Sequence, residues 1–345
     1  MARIAMVVTN SCAPDPRVER HASWLAEKGH EVEIHAWDRE CLNQVNEIKN
    51  GYKIIRYRFG KTNHGNPIAT WFRKKRFISK IRLEHDLLIL NDTDTMGVKF
   101  NGPVILDIHD LAHSWPLMRG ATLFHKLAAR KMEKQAKKAI ISADEIIVSA
   151  PGFSKWVGQF ERSVTCVMNR RKPQAIQRNQ RKIIGYFGRI REFDSISFLV
   201  ESANLVGFKI ILAGDGTDVD KVLEKYPDID YRGPFNEDEL PSLMKEISVM
   251  YAMYDDRRTN IKHGAIPTKM LDAAAFGIPS ITNANTPMGD LCEKEGMGLT
   301  APYGDTALIS KAMEKAHNME INIQDCDDNT NFISVVQRLL ISQPT

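Results

Sequence analysis

The stretch PTKMLDAAAFGIP (267–279) places a proline, a hydroxyl, a lysine and one acid ahead of a run of small apolar residues. Its spacing predicts a short helix from Pro267, closed by Gly277 and Pro279. The first turn of a helix offers unbonded N–H groups and the positive end of the helix dipole, and both favour phosphate. Thr268 stands at that start and Lys269 adds charge. Asp272 lies one turn further on, where a carboxylate can accept bonds from hydroxyls such as those of a ribose. The plainer reading is that Asp272 only complements the dipole, worth about 0.3–1 kcal/mol. An acid on an apolar helix is costly to bury unless it is bonded, and this favours a ligand.

Three other stretches carry polar groups just after apolar runs. In DIHD (107–110), after PVIL, His109 is the candidate catalytic side chain, with Asp107 and Asp110 placed to orient its ring. The rival reading is a surface histidine at a helix start. His113 is near, but two histidines are a weak metal signal, and no metal site is assigned. In GRIRE (188–192), Gly188 allows close backbone approach, and Arg189 and Arg191 stand where an anion would bind; two solvated arginines fit the same residues. GDG (214–216) marks a tight turn at Gly214, either a plain turn or a ligand loop. Neither a Walker A motif nor G-x-G-x-x-G occurs.

These stretches sit within an alternation of strand and helix signals. RIAMVV (3–8) and EVEIHAW (31–37) read as strands. Between them Asp15 can cap a helix that has Pro16 at its first position, Val18, Ala22, Leu25 and Ala26 on one apolar face, and Gly29 at its end. Further strands are expected at 53–57, 86–90, 103–108 and 145–149. The polar, basic stretch 169–182 breaks the pattern, which then resumes with strands at 183–188, 209–214, 230–233, 248–253 and 280–283 and helices at 195–206, 218–225, 237–247 and 267–276. Helices alternating with strands imply parallel sheets. The expected architecture is α/β, two doubly wound Rossmann-like domains facing a cleft. The expected divisions are 1–172, a linker 173–182, 183–325, and a C-terminal helical segment 326–345. Ligands in such folds bind outside the carboxyl ends of the strands.

Composition bounds the rest. At 345 residues, 43% hydrophobic and 26% charged, the chain suits a soluble two-domain protein. No apolar run approaches the roughly 20 residues of a membrane span, and the N-terminus reads as a strand rather than a leader. Cys12, Cys41, Cys166, Cys292 and Cys326 are scattered, as expected of reduced thiols in a cytoplasmic protein. Basic residues outnumber acidic ones 30 to 18 over residues 1–180, whereas the remainder carries 17 against 25. A split of that size suggests that the N-terminal half faces something anionic. WFRKKRFISKIR (71–82) interleaves Trp71, Phe72, Phe77, Ile78 and Ile81 with Arg73, Lys74, Lys75 and Arg76, and 125–141 adds more basic residues. A basic amphipathic stretch with aromatics suits an anionic membrane surface, peripheral on the inner face. A solvated basic face is the bland alternative. Nucleic acid is not expected, because no recognised motif supports it.

Taken together, these motifs resemble the GT-B glycosyltransferases, specifically the large retaining family four of nucleotide-sugar-dependent enzymes. The resemblance runs in order through IAMVVTNSCAPDPRVERHASWLAEKGHEVEI, VILDIHD, IIGYFGRIREFDSISFLVESA, KIILAGDG and PTKMLDAAAFGIPSITN. It implies an N-terminal acceptor domain, a C-terminal donor domain and a last helix that crosses back to the first. It implies that His109 faces the donor sugar, that Arg189 binds phosphate and that Asp272 holds the ribose hydroxyls. No permanent cofactor and no metal are implied; the nucleotide-sugar is a cosubstrate and the acceptor a lipid-linked or cell-envelope glycan. The sequence departs from the family in three places. Gly264 stands where the first acid of the family's pair falls, Asp194 where a lysine of the arginine loop falls, and NSCAPDP replaces a glycine pair. Arg257, Arg258, Lys262 and His263 surround the missing acid, which would suit an acidic donor sugar such as the glucuronate of UDP-glucuronate; a mobile basic loop fits as well. A nucleotide-sugar epimerase on the same fold, or a partner subunit that binds nucleotide without turnover, are the alternative functions.

Overall fold

A computed structural model describes residues 1–62, 67–119, 122–174, 176–321 and 327–342. Position 175 of the expected linker, Cys326 and the boundary drawn there lie outside these. The chain separates into two compact units, Met1–Met168 with Asp327–Thr345, and Asn169–Cys326.

Among the described residues the first unit holds eight strands: β1 (Arg3–Val8), β2 (Glu31–Trp37), β3 (Asn46–Lys49), β4 (Tyr52–Tyr57), β5 (Leu87–Asn91), β6 (Val104–Ile108), β7 (Glu145–Val148) and β8 (Thr165–Cys166). They form one sheet in the order β3-β4-β2-β1-β5-β6-β7-β8. Every pairing is parallel except that of β3 with β4. That hairpin was not expected, although its signal was present. Asn50 and Gly51 join the two strands at φ 47° and 82°, and Asn-Gly is the preferred pair for a two-residue turn that needs both φ values positive.

The helix Pro16–Glu27 forms as its sequence dictates. Asp15 is extended, its carboxylate accepts from the Val18 N–H at 3.2 Å, and Pro16 opens the helix. Val18, Ala22 and Leu25 pack on Ile4, Met6, Ile34 and Ile89 of the sheet. The same core contains Phe332, Ile333, Val335 and Val336 of the helix Asp328–Ile341. The end of the chain is thus part of the first unit's core. Phe332 is fully buried and stacks on His21 at 4.1 Å between ring centroids.

The second unit's strands are β9 (Ile183–Phe187), β10 (Lys209–Ala213), β11 (Asp230–Tyr231), β12 (Val249–Tyr251), β13 (Ser280–Asn283) and β14 (Gly298–Ala301). They lie in the order β11-β10-β9-β12-β13-β14, all parallel. Alternate residues of β9 and β10 face opposite layers. Tyr186 and Leu212 join a core with the helices Phe193–Val206 and Thr306–His317, while Phe187, Ile211 and Ala213 meet Leu240–Glu246 and Thr268–Ala275. Each unit is therefore Rossmann-like, and the α/β class follows from the strand–helix alternation. The stretch 237–247 begins as a 3-10 turn at Glu237–Glu239, with Pro241 in the first turn of the α-helix that follows. The polar stretch 169–182 lies on the second unit: Arg178 donates to the Ser248 carbonyl at 3.0 Å and the Ala316 carbonyl at 2.9 Å.

Cys12, Cys41 and Cys292 are free thiols. Among the described residues no helix is long and apolar enough to cross a membrane.

Replacing Phe332 by Ala leaves a void against His21 and Trp24. It is expected to destabilise the first unit by about 3–5 kcal/mol, read as a lower urea midpoint for the transition that reports Trp24.

Candidate functional site

The first unit gathers its chemistry at the carboxyl edge of its sheet. The Asp107 carboxylate, at the end of β6, is fully buried. Arg17 donates to it from Nε at 3.0 Å and from Nη2 at 2.6 Å, and from Nη1 to the Val167 carbonyl at 2.7 Å. His21 Nδ1 lies 3.2 Å from the same carboxylate. Arg17 and His21 stand one helical turn apart, so a single face of Pro16–Glu27 delivers both.

His109 follows β6. Its Nε2 meets Asp107 Oδ2 at 3.2 Å, and its Nδ1 lies 3.7 Å from Asp92 Oδ2. Asp92, just after β5, sits at φ 65° and also accepts from the backbone N–H groups of His109 at 2.7 Å and Asp110 at 3.2 Å. Asp110 was expected to help orient the ring but is committed elsewhere: it accepts from Trp115 Nε1 at 2.8 Å and from the Leu111 N–H. Asp92 takes that place. Sequence reasoning missed Asp92, Arg17 and His21; the available signal was NDTD, directly after the strand run LLIL.

The charges of this cluster are coupled. Burial alone would lower the His109 pKa, but the carboxylates of Asp92 and Asp107 outweigh it and raise it to about 9. Burial raises Asp92 to about 7, so Asp92 and His109 titrate as a linked pair. Burial likewise works against ionised Asp107, but Arg17 and His109 hold it well below the usual carboxylate range. Burial and Arg17 push His21 down to about 4. One histidine of the cluster is therefore a cation at neutral pH and the other is neutral.

In the second unit the strand order reverses at β9, with β10 on one side and β12 on the other, the position where such sheets bind ligands. Gly188 ends β9 and Gly214 ends β10. A methyl group on Gly214 would fall 1.9 Å from the Gly188 carbonyl oxygen, so Gly214 is needed for backbone to pass backbone. Lys269 is the second residue of the helix Thr268–Ala275 and is 5% exposed. Its Nζ lies 3.2 Å from the centre of the Tyr186 ring and 5.1 Å from that of Tyr254, and it has no hydrogen-bond partner among the described residues. Its Cε would be 3.8 Å from a Cβ on Gly188. Burial holds the Lys269 pKa well below the usual lysine range, with Glu192 acting in the opposite direction.

The other expected donor residues are placed separately. Exposed Arg189 pairs with Asp215 at 3.0 Å. Arg191 and Thr268 are exposed. Asp272 accepts from Arg171 Nε at 2.6 Å, and Arg171 also contacts Glu237. Gly264 is buried at φ 98°, a left-handed conformation that disfavours an acid with a Cβ at this position. His263 beside it is exposed. Of the surrounding cations, Arg257 pairs with Asp255 at 2.6 Å and Arg258 contacts Glu192. Asp194 is exposed in the first turn of Phe193–Val206.

The basic helix Pro67–Lys80 is divided by burial. Phe77 and Ile81 belong to the core, which corrects the expectation that they interleave with cations at the surface. Ile68, Trp71 and Phe72 are exposed. Lys75 Nζ stands 3.8 Å over the Trp71 ring, Arg76 stands 5.3 Å from the Phe59 ring centre, and Arg73 donates to the Lys61 carbonyl. Lys74 is half-buried. The helix Leu123–Ser142 also starts with exposed Leu123, Phe124 and Leu127. Both helices connect parallel strands, so both begin at the carboxyl edge that carries His109.

Comparison with known proteins bears on the fold. Residues 181–318 match the family model described as Glycosyl transferases group 1. No curated protein matched by sequence. Sucrose-phosphate synthase from Thermosynechococcus elongatus superposes with a TM-score of 0.67 at 14% identity, covering 99% of this chain and 95% of that one. A mutant of S. aureus TarM, solved with fondaparinux, alpha-GlcNAc-glycerol and UDP, gives 0.64 at 12%, covering 100% and 97%. Anabaena HepE with UDP-glucose gives 0.62 at 12%, covering 98% and 100%. The fold is that of the GT-B glycosyltransferases.

The folded His109 ring holds its proton more tightly than the unfolded chain does. Its stabilising contribution is therefore complete below about pH 6.5 and is lost as pH rises through about 9. A histidine titration by NMR should show one ring with a midpoint near 9, absent in His109→Gln and shifted downward in Asp92→Asn; an unshifted midpoint would contradict the assigned pairing.

Proposed function

We propose that the protein is a glycosyltransferase that moves a sugar from a UDP- or GDP-sugar to a hydroxyl acceptor with retention at the anomeric carbon. The observation that carries this reading is the buried Lys269 amine, without a hydrogen-bond partner among the described residues, at the strand-order reversal of a unit that matches a glycosyltransferase family. Burial disfavours its charged form, and an anion seated there would favour it again. A diphosphate suits it. The helix start at Thr268 adds a favourable dipole end, and the exposed Arg189 and Arg191 lie on the loop after β9. Asp272, steadied by Arg171, is assigned the ribose.

In this reading the second unit holds the nucleotide and His109 faces the transferring sugar. Asp107 fixes the ring through Nε2, which leaves Nδ1, 3.7 Å from Asp92, as the nitrogen that can reach a sugar hydroxyl. The bond from the anomeric carbon to the diphosphate breaks, one to the acceptor oxygen forms, and the acceptor's hydroxyl proton passes to the departing diphosphate. Charge develops on the leaving phosphate, where Lys269 and the helix start stabilise it. Solved relatives of the fold contain UDP or UDP-glucose, which favours a uridine donor. With Arg257 and Arg258 engaged by acids, an acidic sugar would rest on Lys262, beside His263 and opposite the missing side chain of Gly264.

The acceptor we assign is a lipid-linked or cell-envelope glycan, reached by peripheral docking on an anionic membrane. The support is the pair of helix starts with exposed Ile68, Trp71, Phe72, Leu123, Phe124 and Leu127 among lysines and arginines on the edge that carries His109.

Two measurements check this. Release of free nucleotide from a panel including UDP-glucose, UDP-glucuronate and GDP-mannose should identify a donor. Turnover should fall strongly in His109→Ala with nucleotide affinity retained, whereas Lys269→Ala should weaken nucleotide binding by about tenfold or more. Full activity in both variants would refute the assignment. The chain should also sediment with anionic vesicles at low salt and less at high salt, and Trp71→Ala with Phe72→Ala should reduce this at both; binding indifferent to salt and to these changes would remove the membrane assignment.

A further inference from the structure

The opposite end of the first unit's sheet carries a second polar cluster that the proposed transfer does not use. Glu33 and His35 lie two residues apart on β2 and so share one face. His85 sits just before β5, at the amino edge. In the register Glu33 is opposite Ala5 of β1, and Ala5 is opposite Leu88 of β5. The small side chain of Ala5 leaves the space above it to the flanking residues. His85 Nε2 lies 3.4 Å from Glu33 Oε2, and His35 Nε2 lies 3.8 Å from the same oxygen. One donor atom from each of the three falls within 4.8 Å of the others.

We propose that Glu33, His35 and His85 bind a divalent transition-metal cation such as Zn2+, with solvent as a further ligand. Three observations carry the proposal. First, the two imidazoles are almost fully buried, at 4% side-chain exposure each, and His35 Nε2 and His85 Nε2 both face Glu33 Oε2, at 3.8 and 3.4 Å, without a well-formed hydrogen bond. Buried polar atoms are normally satisfied, and these two nitrogens meet at the same carboxylate oxygen. Second, the separations suit the ion. Zinc bonds of roughly 2.0–2.2 Å in a tetrahedron set neighbouring ligand atoms about 3.3–3.6 Å apart; the two Glu33 separations, 3.4 and 3.8 Å, are close to this, and the third lies within 4.8 Å, so a side-chain rotation of the rings closes the cluster. Third, outer partners are in place. His35 Nδ1 meets the Tyr57 hydroxyl at 3.0 Å, which leaves Nε2 directed at the cluster, and Lys53 Nζ donates to Glu33 Oε1 at 2.8 Å, which leaves Oε2 directed there as well. Metal-binding histidines are typically oriented in this way through their second nitrogen.

The protonation states agree with this geometry. Burial pushes His35 down to about 4 and lowers His85, so both rings are neutral at neutral pH with a lone pair available. Burial opposes ionisation of Glu33, but Lys53 and the two histidines hold it below its usual value. Two neutral imidazoles and one carboxylate suit zinc, nickel or cobalt better than calcium or magnesium, which prefer oxygen ligands. The ion would tie β2 to the entry of β5 across β1, a structural role at the amino edge. Its loss would therefore lower stability without abolishing transfer.

The test uses the tag-free full chain, equilibrated with Zn2+, freed of excess by gel filtration and analysed for metal. One zinc per chain is expected, with a raised thermal midpoint, and Co2+ in its place should give visible d–d bands. The His35→Gln and His85→Gln double variant should bind at least about 100-fold more weakly, beyond the 10–100-fold expected when an outer-shell partner is lost, as in Tyr57→Phe. If the double variant does not fold, Glu33→Gln, which keeps shape and volume, should show the same loss. Retention of one zinc in these variants, or no zinc on the wild-type chain at micromolar Zn2+, would overturn the proposal.

Discussion

A fully buried carboxylate organises the first unit. Asp107 ends β6 without water around it, and an ion in that position is tolerated only when its oxygens are matched by donors. Arg17 supplies a forked pair of bonds and extends a third to the Val167 carbonyl beside β8, so a side chain from the first helix joins strands far apart in sequence. His21 and His109 approach the same oxygen, and Asp92 reaches back to His109. Remove the carboxylate and an arginine and an imidazolium are left buried together. The position of His109 is thus held by an electrostatic balance that involves residues from four segments of the chain.

The second unit shows the opposite condition. Lys269 is enclosed by aromatic faces that attract a cation only weakly, and nothing among its neighbours donates an oxygen to it. Glycines at the ends of β9 and β10 let two backbones run in contact beneath it. In the first unit the buried Asp107 is matched by donors, while in the second the buried Lys269 amine lies against aromatic rings at the reversal of strand order.

Much of this was legible in the sequence, for reasons that can be named. Strand and helix alternation follows from hydrophobic periodicity and required no tertiary information. Asp15 and Pro16 opened a helix because cap chemistry is local. DIHD and PTKMLD were read as a strand end and a helix start, and both are, because an apolar run and a proline mark such boundaries locally. What failed was partner choice. Asp110 is nearer to His109 in sequence than Asp92 is, yet the parallel pairing of β5 with β6 puts Asp92 alongside the ring, and only register reveals this. Arg171 beside Asp272 was hidden for the same reason. Phe77 and Ile81 were misplaced because interleaved cations and aromatics look alike whether the aromatics face the core or the solvent. The Asn-Gly hairpin was simply overlooked.

The final helix has a consequence for how the molecule is made. Phe332, Val335 and Val336 complete a core begun by residues near the N-terminus, and all of Asn169–Cys326 is synthesised in between. On the ribosome the second unit can therefore finish folding while the first still lacks part of its interior. Until Asp328–Ile341 emerges, the faces of His21 and Trp24 that it covers stay open, and loss of this helix is felt by residues near the start of the sequence.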